Sequence, residues 1–201
     1  MPRIVVVAAH PQLAQSRVTA RLMRRAARIG ADVDVRDLYA LYPDYWIDRA
    51  AEQKALAEAS LLVWLHPVHW YGMPPLMKLW LDEVFAFGWA YGPGGHALCG
   101  KSLWLVASTG GPAESYRAEG SNRHAFADFL PPYEQTAALT GLCWREPLVL
   151  HGAHRADEAA LQAFEDRFAS TLSSLLATEL PPLTAIDVAA DERPSTPSTS
   201  T

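Results

Sequence analysis

The sequence predicts an α/β fold, a doubly wound five-stranded parallel sheet in the order 2-1-3-4-5 with helices on both faces. Three observations carry this. Apolar runs of strand length alternate with segments of helical periodicity along most of the chain. The runs Ile4–Ala9 and Leu61–Leu65 are continuously apolar, as central parallel strands covered on both faces must be. Each strand returns to the next through a helix-length crossover, and right-handed crossovers among five such strands most often give this order.

The elements follow in turn. After the first strand, Ser16 is placed to cap a helix whose stripe is Val18, Leu22, Ala26 and Ile29, ended by Gly30. Val33 and Val35 alternate with Asp34 and Arg36, the pattern of a strand near the sheet edge. Residues 49–59 form an Ala-rich helix, and the strand Leu61–Leu65 follows. Pro75 suits a first helical position, where its missing N–H costs nothing. Leu76, Leu79, Trp80, Val84 and Phe87 then recur at helical spacing. Leu103–Ala107 is a fourth strand, Tyr133–Leu142 a helix, Pro147–Leu150 a fifth strand and Ala156–Leu176 a long closing helix. One domain is expected over residues 1–180. Residues 181–201, rich in Pro, Ser and Thr, read as a disordered tail.

Composition narrows the function. A net charge of -5 argues against sequence-independent nucleic-acid binding. Arg17, Arg21, Arg24, Arg25 and Arg28 crowd one helix, which reads first as a solvated face and second as a docking surface for an acidic or phosphate-bearing partner. Two cysteines without metal-ligand spacing point to a reducing compartment. No apolar run approaches the ~18 residues of a membrane span, so a cytoplasmic protein is expected.

Three loops after strands one, three and four should meet at the carboxyl edge of the sheet, where open α/β folds bind ligands. The first, residues 10–16, leads into a helix N-terminus carrying roughly +0.5 charge, which favours a phosphate. Ser16 and Thr19 add hydroxyls there and Arg17 a positive charge. The second, residues 66–72, offers His69, Trp70 and Tyr71 to a flat ring that needs stacking and hydrogen bonds. In the third, Gly110 and Gly111 let backbone N–H groups approach a ring edge. Singly, each has a structural reading: Ser16 as a plain cap, Trp70 and Tyr71 as core aromatics, the glycines as a turn. Joint placement shifts the balance toward a ligand site.

Other chemistries find less support. Residues 95–102 fit the phosphate-loop pattern G-x-x-x-x-G-K-[ST], but a strand follows them where that motif needs a helix, so they read as a surface loop. The G-x-G-x-x-G and G-x-S-x-G fingerprints are absent from the sequence. His66 and His69 have ligand-like spacing with no carboxylate or cysteine nearby, so no metal site is expected.

His10-Pro11, Ser16 opening the helix, HPVHWYGMPPLMKLWLDEVF, WAYGPGG-ALCGK and STGG together resemble the NAD(P)H:quinone reductase-like family of the flavodoxin fold. Within it, DLYALYPDYWID and ESYRAEGSNR resemble the ancillary subunits of bacterial glutathione-gated potassium efflux systems. The resemblance spans about residues 3–175. It implies a flavodoxin-like sheet, one FMN per subunit of a homodimer, NAD(P)H as electron donor, a quinone or similar electrophile as acceptor, and a potassium efflux transporter as partner at the inner membrane. The family's FMN positions fall on His10, Ser16, Arg17, Val18 and Thr19, on Val68, His69, Trp70 and Tyr71, and on Ser108, Thr109, Gly110 and Gly111. Its catalytic Tyr-Gly-x-His pattern falls on Tyr116, Gly120 and Asn122. Asn122 therefore replaces a titratable His with an amide, and Thr19 stands where relatives often carry Asn. A non-catalytic FMN-binding module docking on the transporter is the alternative the resemblance leaves open.

Overall fold

The structure, a computed structural model, describes residues 3–177; the tail expected over 181–201 lies outside the described residues. The strands are β1 (Ile4–Ala8), β2 (Val33–Asp37), β3 (Leu61–Pro67), β4 (Ser102–Ser108) and β5 (Cys143–Leu150). The helices are α1 (Thr19–Ala27), the single turn α2 (Leu38–Leu41), α3 (Arg49–Glu58), α4 (Pro75–Val84), α5 (Pro131–Thr140) and α6 (Glu158–Ala177). The sheet is parallel throughout, in the order β2-β1-β3-β4-β5. This is the expected flavodoxin-like topology.

Side chains alternate across the pleat, so each central strand feeds two cores. Val5, Val7, Leu62 and Trp64 pack with Leu56, Leu76, Trp80 and Ala137 beneath α3, α4 and α5. Ile4, Val6, Leu61, Val63 and Trp104 pack with Leu22, Leu161, Phe168 and Leu172 beneath α1 and α6. Because α1 lies on one face and α3 on the other, the chain leaves β1 and returns to β3 on opposite sides. A crevice opens between the carboxyl ends of those two strands.

One buried charge stands on the α3–α4 face. Glu52 is 0% exposed and takes a forked bond from Arg36 of β2, the indole N–H of Trp80 at 2.9 Å and the hydroxyl of Tyr42. Every lone-pair direction of that carboxylate is thus occupied, which makes its burial tolerable. Desolvation, then the Glu52 contact, pushes the Tyr42 phenol up to about 12.

Several elements depart from expectation. The first helix begins at Thr19, two residues later than a cap at Ser16 implies, with a 3-10 turn over Leu13–Gln15 before it. The cap position passes from Ser16 to Val18, whose side chain cannot hydrogen-bond, while Ser16 Oγ still accepts from the Ala20 N–H at 3.3 Å inside the first turn. The fifth strand begins at Cys143, because Gly141 closes α5 in the left-handed region (φ 69°) and the Cys143 N–H pairs at once with Lys101. The segment read as a surface loop is packed: Leu98 is 0% and Lys101 2% exposed. The Lys101 ammonium donates to the carbonyls of Ala57 and Ala59, where α3 ends. The arginine face is only partly solvated: Arg21 pairs with Glu158 and Glu165 of α6, and Arg25 lies 3.8 Å from Glu165.

Candidate functional site

The crevice at the carboxyl edge is a cleft of about 690 Å³ that continues into a smaller one of about 240 Å³. Val68, Trp70 and Gly110 line both, so the two form one elongated site. No carboxylate lines either part among the described residues, while His10, Arg17, His69 and His154 line the larger. A cleft with a helix N-terminus and an arginine on its wall and no carboxylate favours an anion.

At the larger end stand His10, Ser16, Arg17 and Val18. The first bonds of the helix run from the Arg21 and Leu22 N–H groups to the Val18 carbonyl. The amides of Arg17 and Val18, both on the cleft wall, precede the helical ladder and can meet a ligand. Thr19 itself is 1% exposed and absent from the wall, so it brings no hydroxyl to the cleft. The late helix start turns its side chain inward. The Gln12 N–H donates to His10 Nδ1 at 3.1 Å, which fixes the neutral ring as the Nε2–H tautomer. Burial, then neighbouring His69, lowers the pKa of His10 and keeps the ring uncharged.

The aromatic wall is a tight turn. His69 and Gly72 exchange two backbone hydrogen bonds of 3.0 Å, with Trp70 (φ 47°) and Tyr71 (φ 66°) both left-handed between them. Such turns ordinarily carry Asn or Gly, and bulky residues hold this conformation at a cost of order 1–3 kcal/mol each. Trp70 is 94% exposed, so its side chain makes little of the packing that would offset this. Tyr71 stacks on Phe129 with centroids 5.0 Å apart and reaches Asn122 Oδ1 at 3.4 Å.

His66, one residue before the end of β3, faces the core. It is 1% exposed and stacks on Tyr133. Its Nδ1 must carry the proton, because it sits 3.0 Å from the Pro67 carbonyl. Nε2 has no hydrogen-bond partner, and desolvation lowers the ring pKa to about 4.

The β4 loop is stitched rather than open. The Val68 N–H donates to the Ser108 carbonyl at 2.7 Å and the Thr109 N–H to Leu150 at 2.9 Å. Thr109 Oγ1 gives its proton to the Gly111 carbonyl at 2.7 Å, so His151 Nδ1, 3.0 Å away, donates to that oxygen. Thr109 thus shapes the loop, and Gly110 and Gly111 present its open backbone. A β-carbon on Gly110 would lie 3.3 Å from the His154 ring.

These residues stand in a recognisable frame. The profile of the flavodoxin-like fold family matches residues 2–172. The chain belongs to that family. It is 46% identical over 161 residues to the glutathione-regulated potassium-efflux system ancillary protein KefF of Salmonella typhimurium, covering 80% of this chain and 89% of that one. General stress protein 14 of Treponema denticola, solved in complex with FMN, superposes with a TM-score of 0.78 at 39% identity, over 88% of this chain and 99% of that one. An NADPH-quinone reductase from P. pentosaceus superposes at 0.75 with 25% identity, over 85% and 97%.

In this flavodoxin-like chain Tyr116 and Asn122 both line the smaller cleft with Gly111, Ser115 and Ser121. Tyr116 is held edge-on to Phe126 and Phe129 and tilted against His151. Gly120 makes their segment possible: a β-carbon there would lie 2.5 Å from the Glu114 and Ser115 carbonyl oxygens. Sequence reasoning missed Gln12, Gln15, Ala153 and His154 as wall residues. Gln12 and Gln15 lie inside a loop already identified. The loop after β5 carries no motif, and hydrogen bonds to Thr109, Gly111 and the Arg17 side chain bring it to the cleft.

Proposed function

We propose that this protein is an FMN-dependent oxidoreductase that transfers two electrons from NAD(P)H to a quinone-type acceptor. The carrying observation is the elongated site itself: a carboxylate-free end at a helix N-terminus joined to an end lined by Trp70, Tyr71, Tyr116, Asn122 and two glycines. Its larger part falls within the ~300–1,000 Å³ of typical cofactor clefts. The donor set fits a phosphorylated flavin. The amides of Arg17 and Val18 and Ser16 Oγ would hold the phosphate, Val68 to Tyr71 would flank the ring, and Gly110 and Gly111 would approach its polar edge. FMN, when bound, supplies the two-electron chemistry. The overall reaction converts NAD(P)H, a proton and a quinone into NAD(P)⁺ and a hydroquinone.

The chain's own residues do the rest. His10, whose Nδ1 accepts from the Gln12 amide and whose pKa is lowered by burial, offers an Nε2–H donor. The Tyr116 hydroxyl and the Gly110 and Gly111 amides line the smaller cleft and would supply donors to negative charge on a flavin held there. Tyr71 and Asn122 fix each other where an acceptor would enter. A homodimer is part of this reading, as is a regulatory role beside a potassium efflux transporter, supported by the KefF relative. No helix among the described residues is long and apolar enough to cross a membrane, so attachment to a membrane would go through that partner.

Asn122 favours a second reading. An amide cannot take up the proton that a His in its place could, so a non-catalytic FMN module docking on the transporter is the competing function. Purified protein reconstituted with FMN and desalted should stay yellow at one flavin per chain and turn over NAD(P)H with a soluble quinone. A yellow protein without turnover would establish the module; a folded, colourless one would defeat both readings.

A further inference from the structure

We propose that Arg17 acts on the cleft through the loop between β5 and α6, as a positioning residue that holds His154 against Gly110, and that His154 contacts the bound flavin. This rests on the functional reading above and assigns to the site a wall that no sequence motif marks. Arg17 was expected to lend its charge to a phosphate. Instead its Nη1 donates to the carbonyls of His154 at 3.0 Å and Ala153 at 3.3 Å, and its Nη2 to that of Ala156 at 2.8 Å. Three carbonyls at the entry to α6 are thus gathered by one planar fork, a geometry a lysine cannot copy.

The same loop is fastened on its other side. The Gly152 N–H donates to the Gly111 carbonyl at 2.8 Å and the Ala153 N–H to that of Thr109 at 2.9 Å. Arg17 at the start of α1 and the glycine loop after β4 therefore grip residues 152–156 from opposite sides. Held so, His154 places Cδ2 and Nε2 3.3 Å from where a β-carbon of Gly110 would be, and its ring lines the larger cleft. A ligand lying between Gly110 and the helix N-terminus must pass this ring. Because the guanidinium holds the His154 carbonyl and those of Ala153 and Ala156 on either side of it, its position sets how closely His154 approaches that ligand.

The two roles for Arg17 separate by ligand. A phosphate ligand matters to FMN and not to riboflavin, which lacks the phosphate; a positioning residue matters to both. Dissociation constants of the full-length apoprotein for FMN and riboflavin, from flavin fluorescence quenching, should rise by the same factor in Arg17→Lys. About tenfold is expected, or ~1.4 kcal/mol. His154→Ala should weaken both flavins similarly, and adding Arg17→Lys to it should cost little more, because the two residues act as one unit. Far-UV circular dichroism establishes that each variant is folded. Should Arg17→Lys not fold, His154→Ala alone decides, since unaltered riboflavin affinity in it overturns the proposal. So do a loss confined to FMN in Arg17→Lys, full retention of both affinities by it, and strictly additive losses in the double variant. Wild-type protein that binds neither flavin would overturn the functional reading itself, an outcome distinct from wild-type binding that the variants leave unchanged.

Discussion

The ammonium of Lys101 lies 2.6 Å from the carbonyl oxygen of Ala59, and it reaches that of Ala57 at 2.8 Å. A cation at the carboxyl end of α3 satisfies carbonyls that the helix leaves unpaired and meets the negative end of its dipole. The lysine that completes the phosphate-loop pattern is therefore an internal strut. Its burial lowers its pKa.

Lys101→Met should keep the volume and lose both charge-assisted bonds, leaving two carbonyls unpaired. Such losses cost ~1.5–3 kcal/mol per bond, partly offset because the ammonium no longer needs desolvating. A net destabilisation of about 2 kcal/mol in urea unfolding is expected, with FMN affinity unchanged in the folded variant. Equal stability of the two proteins would refute the strut. ATP binding by the wild type that the variant loses would restore the phosphate-loop reading.

His66 predicts a pH dependence. Its folded pKa of about 4 lies below the ordinary 6.5, so the unfolded chain binds a proton that the native ring refuses. The stability it protects is complete above pH 6.5 and is lost as pH falls toward 4. Between pH 7 and pH 5 this amounts to roughly 2 kcal/mol at 1.36 kcal/mol per pKa unit. His66→Phe retains a ring to stack on Tyr133 and cannot titrate. Urea unfolding at the two pH values should show the wild type losing about 2 kcal/mol more than the variant. Parallel losses would mean that the ring is solvated.

How much of this was legible in the sequence follows from range. Leu61–Leu65 and Ile4–Ala9 could be read as strands because burial on both faces leaves an unbroken apolar run. The first half of β5, Cys-Trp-Arg-Glu, could not: it lies at the sheet edge, where charged side chains reach water. The loops after strands one, three and four carry unusual residues at the sheet edge where ligands bind, so position and chemistry coincided. Lys101, Arg17 and His154 acquire their roles from backbone carbonyls and amides distant in the chain, and a pattern of side chains does not encode those partners.

The turn at Trp70 and Tyr71 should show a trade between stability and function. Asn tolerates the left-handed region far better than Trp. Trp70 buries almost nothing, so Trp70→Asn loses little packing. The apoprotein should gain about 0.5–1 kcal/mol in urea unfolding. Flavin binding should weaken, since the large ring flanking both parts of the cleft is gone. A variant that binds flavin as the wild type does would show that the strained tryptophan has no part in the site.

Tyr116 should serve the chemical step more than it serves cofactor retention. It lines the smaller cleft beside Gly111 and Asn122, and its ring is fixed by edge contacts to Phe126 and Phe129. A rigid ring aims its hydroxyl, which is the preorganisation that lets a donor stabilise charge as it grows. In a dry site such a donor is worth ~2.7–4 kcal/mol. This cleft must admit large planar substrates and therefore water, which reduces the effect to about 1–2 kcal/mol, or roughly five- to thirtyfold in rate. Tyr116→Phe keeps every ring contact and removes only the donor. Stopped-flow reduction of bound FMN by NAD(P)H should slow by that factor while the FMN dissociation constant stays the same. A reduction rate equal to the wild type would leave Tyr116 as a packing residue of the aromatic cluster. A slower rate accompanied by weaker FMN binding would place its hydroxyl in holding the cofactor.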